Sequence, residues 1–181
     1  MKKVLVILAD GFEEMEALSP IDLLRRAGAS VTVAGLGKTE ITSSRKVKVL
    51  CDKLLSETDI DNWDAVVLPG GMPGATNLAA SEDVKKRILS TYSAGKFVCA
   101  ICASPAVVLA PLGIIDGKKA VCYPGMEKGL DKIKFCADKV LRTDNIITAR
   151  GAGCALEFGL EIVSALFTRE KADDLAIAIV Y

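Results

Sequence analysis

Two hydrophobic rhythms alternate along the chain. Short unbroken apolar runs are separated by stretches in which apolar residues recur at helical spacing. Lys3 to Ala9 is the first run and reads as a strand covered on both faces. Glu13 to Ala27 then carries Met15, Leu18, Ile21, Leu23 and Leu24 at helical spacing and stops at Gly28. Pro20 offers no N–H to the Glu16 carbonyl, so a bend is expected there. Ser30 to Gly35 reads as a second buried strand. Val47, Val49 and Cys51 alternate with Lys46, Lys48 and Leu50, the pattern of a strand with one partly exposed face. Asp64 to Leu68 is again a buried run and leads into Pro69-Gly70-Gly71. Glu82 to Ala94 has helical spacing ahead of Gly95. Phe97 to Ile101 is the next strand, with a helix expected at once over Ala103 to Ala110. Lys139 to Leu141 and Ile146 to Ala149 should pair across Asp144-Asn145, followed by helices over Leu156 to Phe167 and Arg169 to Ile179.

Buried strands alternating with helices define an α/β fold with a mostly parallel sheet, whose functional crevice lies at the carboxyl ends of the strands. Three turns fall there: Asp10 to Glu14, Pro69 to Gly71 and Cys102 to Ser104. At 181 residues, a single domain over 1–181 is expected. With 51% apolar and 25% charged residues the composition is that of a compact soluble domain. The 23 basic and 23 acidic residues cancel, which leaves no electrostatic footprint for nucleic acid or an anionic membrane. Met1-Lys2-Lys3 precedes too short an apolar run for a signal peptide, and Asp10 follows without a cleavage site. The six cysteines are scattered, as for free thiols in a reducing compartment, so a cytoplasmic location is expected.

Cys102 carries the clearest chemical signal. It sits on a sharp strand-to-helix turn between small residues, where backbone amides and a helix N-terminus are expected to favour the thiolate. The chain contains no histidine, so no imidazole can activate it. Cys99 and Cys102 spell C-x-x-C, but Cys99 falls inside the strand, unlike a redox dithiol at a helix start. A zinc site lacks further paired ligands, and no metal is expected. Glu13 and Glu14 suit a helix N-terminus, whereas Glu16 lies deeper and can face the crevice. An ionised carboxylate there would raise the thiol pKa; a protonated one would donate to sulfur and stabilise its anion. The Gly70 and Gly71 amides, with that of Ala103, can form an oxyanion hole. A phosphate cradle and a plain tight turn remain open as other uses of this loop.

Leu5 to Glu16, Leu24 to Gly28, Val66 to Gly71, Ala100 to Pro105, Arg150 to Gly153 and Glu157-Phe158 together resemble the DJ-1/PfpI superfamily over nearly the whole chain. The nearest subgroup holds the parkinsonism-associated deglycase and its bacterial homologues. The resemblance implies a flavodoxin-like three-layer α/β sandwich, of the class I glutamine amidotransferase type, with Cys102 at a nucleophile elbow. It implies Glu16 as a protonated hydrogen-bond partner and the Gly71 and Ala103 amides as an oxyanion site. It also implies Arg45 in an anion-lined pocket, and a homodimer with Met15 near its axis. Members act without cofactors as glyoxalases or deglycases on reactive aldehydes and glycated groups, or serve as oxidative-stress sensors and chaperones. Tyr123 stands where the family carries a pocket histidine. Phenols ionise near ~10 and are poor bases at neutral pH, so peptide cleavage is disfavoured while aldehyde and oxidant chemistry at Cys102 is retained.

Overall fold

A computed structural model describes residues 1–181. The strands are β1 (Lys3–Leu8), β2 (Ser30–Gly35), β3 (Glu40–Thr42), β4 (Lys48–Leu50), β5 (Lys53–Leu54), β6 (Ala65–Leu68), β7 (Phe97–Ile101), β8 (Lys119–Ala120), β9 (Lys134–Phe135), β10 (Val140–Thr143) and β11 (Ile146–Ala149). The α-helices are α1 (Glu14–Arg26), α2 (Gly74–Ala80), α3 (Glu82–Ser93), α4 (Ala155–Leu166) and α5 (Arg169–Ala178). Seven strands form the main sheet in the order β10-β11-β7-β6-β1-β2-β5. All pair in parallel except β10, which returns antiparallel on β11 through the expected turn. Taken in chain order, the five long parallel strands lie as 2-1-3-4-5, the flavodoxin-like arrangement. The direction of winding reverses between β1 and β6, so a crevice opens at their carboxyl ends.

Side-chain alternation builds the three layers. Val4, Val6 and Leu8 of β1 point into a core shared with α1, α4 and α5, where Phe12, Leu24, Phe158 and Ile162 are buried. Leu5 and Ile7 point to the opposite face and pack with Leu78, Val84, Ile88 and Leu109. Each such side chain contributes about 1.5–3 kcal/mol on burial. The helix starts have local causes. The Glu13 carboxylate accepts the Glu16 N–H at 2.8 Å to cap α1, and the Ser81 hydroxyl accepts the Val84 N–H at 3.3 Å to cap α3. Pro20 lies inside an α1 that continues to Arg26, and α1 packs tightly on α4 there. A Cβ on Gly159 would come within 2.6 Å of the Leu23 Cδ1 atom and 3.1 Å of the Pro20 Cα atom.

Besides the short strands β5, β8 and β9, which the pattern did not indicate, the chain departs from expectation in three places. Val47 to Cys51 belongs to a small β3–β4 hairpin whose first strand was not evident from the pattern. Gly74–Ala80 is an additional helix, α2. The segment after Cys102 is not a regular α-helix: Pro105–Leu109 is a π-type turn and Ala110–Leu112 a 3₁₀ turn ending at Gly113. Pro105 and Pro111 each remove a backbone donor, and the Ala110 N–H bonds the Pro105 carbonyl one residue further back than in an α-helix. No helix is long and apolar enough to cross a membrane.

Candidate active site

Four strand ends build the site. Cys102 follows β7 with φ of 64°, a left-handed conformation that costs a residue with a Cβ about 1–3 kcal/mol. Its neighbours hold it there. The Cys102 N–H donates to the Ala149 carbonyl at 2.9 Å, at the end of β11, and its carbonyl accepts the Tyr123 N–H at 2.7 Å. The Val121 N–H in turn donates to the buried Thr148 hydroxyl at 2.9 Å, fixing the approach of that segment. The sulfur is therefore presented by a pinned backbone rather than by a flexible loop.

Glu16 reaches the same spot from the first turn of α1 and is only 1% exposed. Its Oε2 accepts the Gly70 N–H at 2.8 Å, while Oε1 is buried with no hydrogen-bond partner. The carboxyl lies beside the Cys102 side chain, both bordering Gly70, and each group shifts the proton affinity of the other. Burial raises the Glu16 pKa from 4.5 to about 7, against the lowering effect of Cys102 and of the Gly70 amide. The carboxyl is therefore divided between its two protonation states near neutrality.

Cys102 is half-buried, and its pKa is pushed up to about 12 by burial and then by the ionised Glu16 carboxylate. The Gly71 and Ala103 amides act in the opposite direction, as expected, but are outweighed. The turn alone therefore does not make a thiolate. Burial outweighs the amides, and one buried pocket does not accept two negative charges. With the carboxyl near 7 and the thiol near 12, the single charge of the pair rests on Glu16, and the thiol gives up its proton to that carboxylate only as the sulfur forms a new bond. Burial also pushes Cys51 to about 11 and Cys122 to about 12, in keeping with inert packing.

The glycines are sterically required. A Cβ on Gly70 would lie 2.7 Å from both the Cys102 Cβ and the Glu16 Oε2 atoms. Gly71 has φ of 88°, and a Cβ there would come within 2.5 Å of the Glu13 nitrogen and the Gly11 carbonyl oxygen. Gly70, expected to line an oxyanion pocket, has its N–H committed to Glu16; the amides directed at sulfur are those of Gly71 and Ala103.

Tyr123 and Arg45 sit at the margins. Tyr123 is 52% exposed, lies against Gly151, and holds Cys102 through its backbone rather than its phenol. The Arg45 N–H donates to Glu14 Oε1 at 2.8 Å, while its exposed guanidinium makes no ion pair. Glu14 also accepts from the Ser43 and Ser44 hydroxyls, so it tethers this loop to the start of α1. Neither that tether nor the Ser104 hydroxyl, which donates to the Pro69 carbonyl at 2.6 Å, stood out in the sequence.

Comparison with known proteins bears on the fold and the family. The DJ-1/PfpI family profile matches residues 2–165. The chain is 45% identical over 177 residues to protein DJ-1 homolog B of Arabidopsis thaliana, covering 97% of this chain but 40% of that protein, so it spans under half the length of that relative. Protein dj-1beta of Drosophila melanogaster is 43% identical, with 97% and 95% of the two chains covered. Glutathione-independent glyoxalase DJR-1.2 of Caenorhabditis elegans is 31% identical, with 96% and 94% covered. Among solved structures, a DJ-1 superfamily protein of Salmonella typhimurium superposes with a TM-score of 0.96 at 33% identity, covering 100% of this chain and 99% of that one. Oxidized Toxoplasma gondii DJ-1 gives 0.94 at 38% identity over the same shares. The matched profile and the relatives aligned along nearly the whole chain lead to one assignment: the chain belongs to the DJ-1/PfpI family.

Proposed function

We propose that the protein is a cofactor-independent glyoxalase of the deglycase type, acting on 2-oxoaldehydes such as methylglyoxal. The observation that carries this reading is the buried Glu16 carboxyl, with its pKa near 7, facing the Cys102 thiol. Ionised Glu16 takes the thiol proton as sulfur attacks the aldehyde carbon and then returns it to the aldehyde oxygen, giving a hemithioacetal. The Gly71 and Ala103 amides stabilise the oxygen while it carries charge. Glu16 next removes the proton from the former aldehyde carbon and delivers a proton to the adjacent one. The ketone is thereby reduced to an alcohol and the sulfur-bearing carbon oxidised to a thioester. Water hydrolyses the thioester, releasing a 2-hydroxy acid and restoring the thiol. The reaction is an internal redox change plus hydration and needs no external electron carrier.

The glyoxalase name borne by the Caenorhabditis elegans relative supports this choice of substrate. Lactate formation from methylglyoxal without glutathione tests it: wild type should turn over, and Cys102→Ser and Glu16→Gln should each lose at least ~100-fold. Full activity in either variant would overturn it. A second reading, a redox sensor, is supported by the same two amides, which can hold the oxygens of an oxidised Cys102. Peptide mass spectrometry after mild peroxide should then find Cys102 oxidised first. The exposed Met15 and Leu18 on α1 fit the homodimer that the family resemblance implies, to be checked by sedimentation. A cytoplasmic location and chaperone activity belong to the same proposal.

A further inference from the structure

Ser104 lies two residues beyond the nucleophile and is 0% exposed. Its hydroxyl donates to the Pro69 carbonyl at 2.6 Å. That carbonyl belongs to the same peptide group as the Gly70 N–H, which donates to Glu16 Oε2 at 2.8 Å. One peptide plane is thus gripped at its oxygen by the β7 elbow and at its nitrogen by α1.

The grip answers a specific weakness. Gly70 must lack a Cβ because one would strike Cys102 and Glu16, and Gly71 must lack one because of its left-handed backbone. Two consecutive glycines leave the Pro69–Gly70–Gly71 backbone with the least intrinsic restraint in the site. A peptide carbonyl and its N–H point in opposite directions, so anchoring the oxygen also aims the nitrogen. A hydrogen bond to the carbonyl further polarises the N–H and strengthens its bond to Glu16.

We propose that Ser104 is a positioning residue: through the Pro69–Gly70 peptide it aims the Gly70 N–H at Glu16, while the Glu13 N–H holds the next peptide by donating to the Gly70 carbonyl at 3.0 Å. The elbow that carries the nucleophile and the Ala103 amide thereby also sets the register of the opposing glycine loop. This reading rests on the Cys102–Glu16 chemistry proposed above, but it concerns how the pair is held and can be tested without turnover.

The test compares wild type with Ser104→Ala, which removes the hydroxyl, and Ser104→Thr, which keeps it, after circular dichroism has established folding. The rate of Cys102 alkylation by iodoacetamide is followed against pH on the Cys102 peptide by mass spectrometry. Loss of the anchor should shift the Ser104→Ala profile by about half a pH unit or more, because a loosened Gly70 N–H no longer steadies the Glu16 carboxylate whose charge sets the proton affinity of the thiol. With methylglyoxal, kcat should fall about three- to tenfold while KM stays within about twofold. Ser104→Thr should follow wild type. If threonine does not fit the buried site, Ser104→Gly must reproduce the alanine shift. An alkylation profile in Ser104→Ala that coincides with wild type, even with lowered thermal stability, would reduce Ser104 to a structural hydrogen bond and overturn the proposal. If wild type converts no methylglyoxal, the glyoxalase reading fails while the alkylation profile still decides the role of Ser104.

Discussion

Replacing Glu16 with glutamine should flatten the pH dependence of stability across neutrality. The Glu16 carboxyl is 1% exposed and holds its proton until about pH 7, against an ordinary value of 4.5. A group that binds its proton more tightly when folded contributes stability that is fully present below the unfolded pKa. That contribution is lost as pH rises through the folded pKa. For Glu16 the window runs from 4.5 to about 7, which corresponds to about 3 kcal/mol in total and roughly 2.5 kcal/mol between pH 5 and pH 8. The window is free of competing histidines because the chain has none. The carboxyls of Asp10, Glu14 and Asp64 are lowered by their hydrogen-bond partners and titrate below it. Glutamine retains an acceptor for the Gly70 N–H and turns an amide toward Cys102, so it mimics the protonated acid at every pH. Urea unfolding followed by circular dichroism at pH 5, 6, 7 and 8 measures the difference. A Cys102→Ser background removes thiol ionisation from the comparison. Wild type should lose roughly 2–3 kcal/mol relative to Glu16→Gln over that range. Parallel stability curves for the two proteins would mean that the buried carboxyl keeps an ordinary pKa and that its pairing with Cys102 has been misread.

Other consequences follow from single contacts. Gly70→Ala should cut glyoxalase activity roughly tenfold or more without loss of far-ultraviolet signal, since the new methyl group would displace Glu16 or Cys102. Arg87 is 2% exposed, and its guanidinium donates to the Leu55 carbonyl, to both oxygens of Thr58 and to the Asp83 carbonyl. Arg87→Met should cost about 3 kcal/mol, or roughly 6–12 °C of Tm in calorimetry, with activity retained in the folded fraction. Glu14→Ala should raise amide hydrogen exchange over Ser43 to Val47, because the tether to α1 is gone, while β1 and β6 stay protected. Tyr123→Phe should keep kcat within about twofold, because that tyrosine supports Cys102 through its backbone alone.

The sequence was most informative where a pattern has one physical meaning. Continuous apolar runs such as Val4 to Leu8 fit only strands covered on both faces, and they fixed the alternation that yields the parallel sheet. Cys102 was visible because a strand gives way to small residues at once, and Glu16 because it lies further into the helix than Glu13 and Glu14, the acids that a helix start explains. The balance of forces at sulfur was not legible. Amides that lower a thiol pKa follow from local sequence, whereas the burial and buried carboxyl that outweigh them depend on strands brought together from distant parts of the chain. The irregular turn after Pro105 was hidden for a different reason: Ala106 to Ala110 has helical composition, and only the two prolines hint at the missing donors. Gly74–Ala80 is short and rich in small residues, so it carries no amphipathic signature despite forming α2. The Ser104 anchor links positions 35 residues apart, beyond the reach of any local pattern.

The pairing of Glu16 with Cys102 is open to direct observation. Protein labelled with carbon-13 at the glutamate carboxyl can be titrated by NMR, with Glu16→Gln identifying the resonance. The carboxyl of Glu16 should titrate with a midpoint near 7 in wild type, and the midpoint should change when Cys102 is replaced by serine. A midpoint below 5, unmoved by that replacement, would contradict a buried carboxyl that shares its proton with the nucleophile.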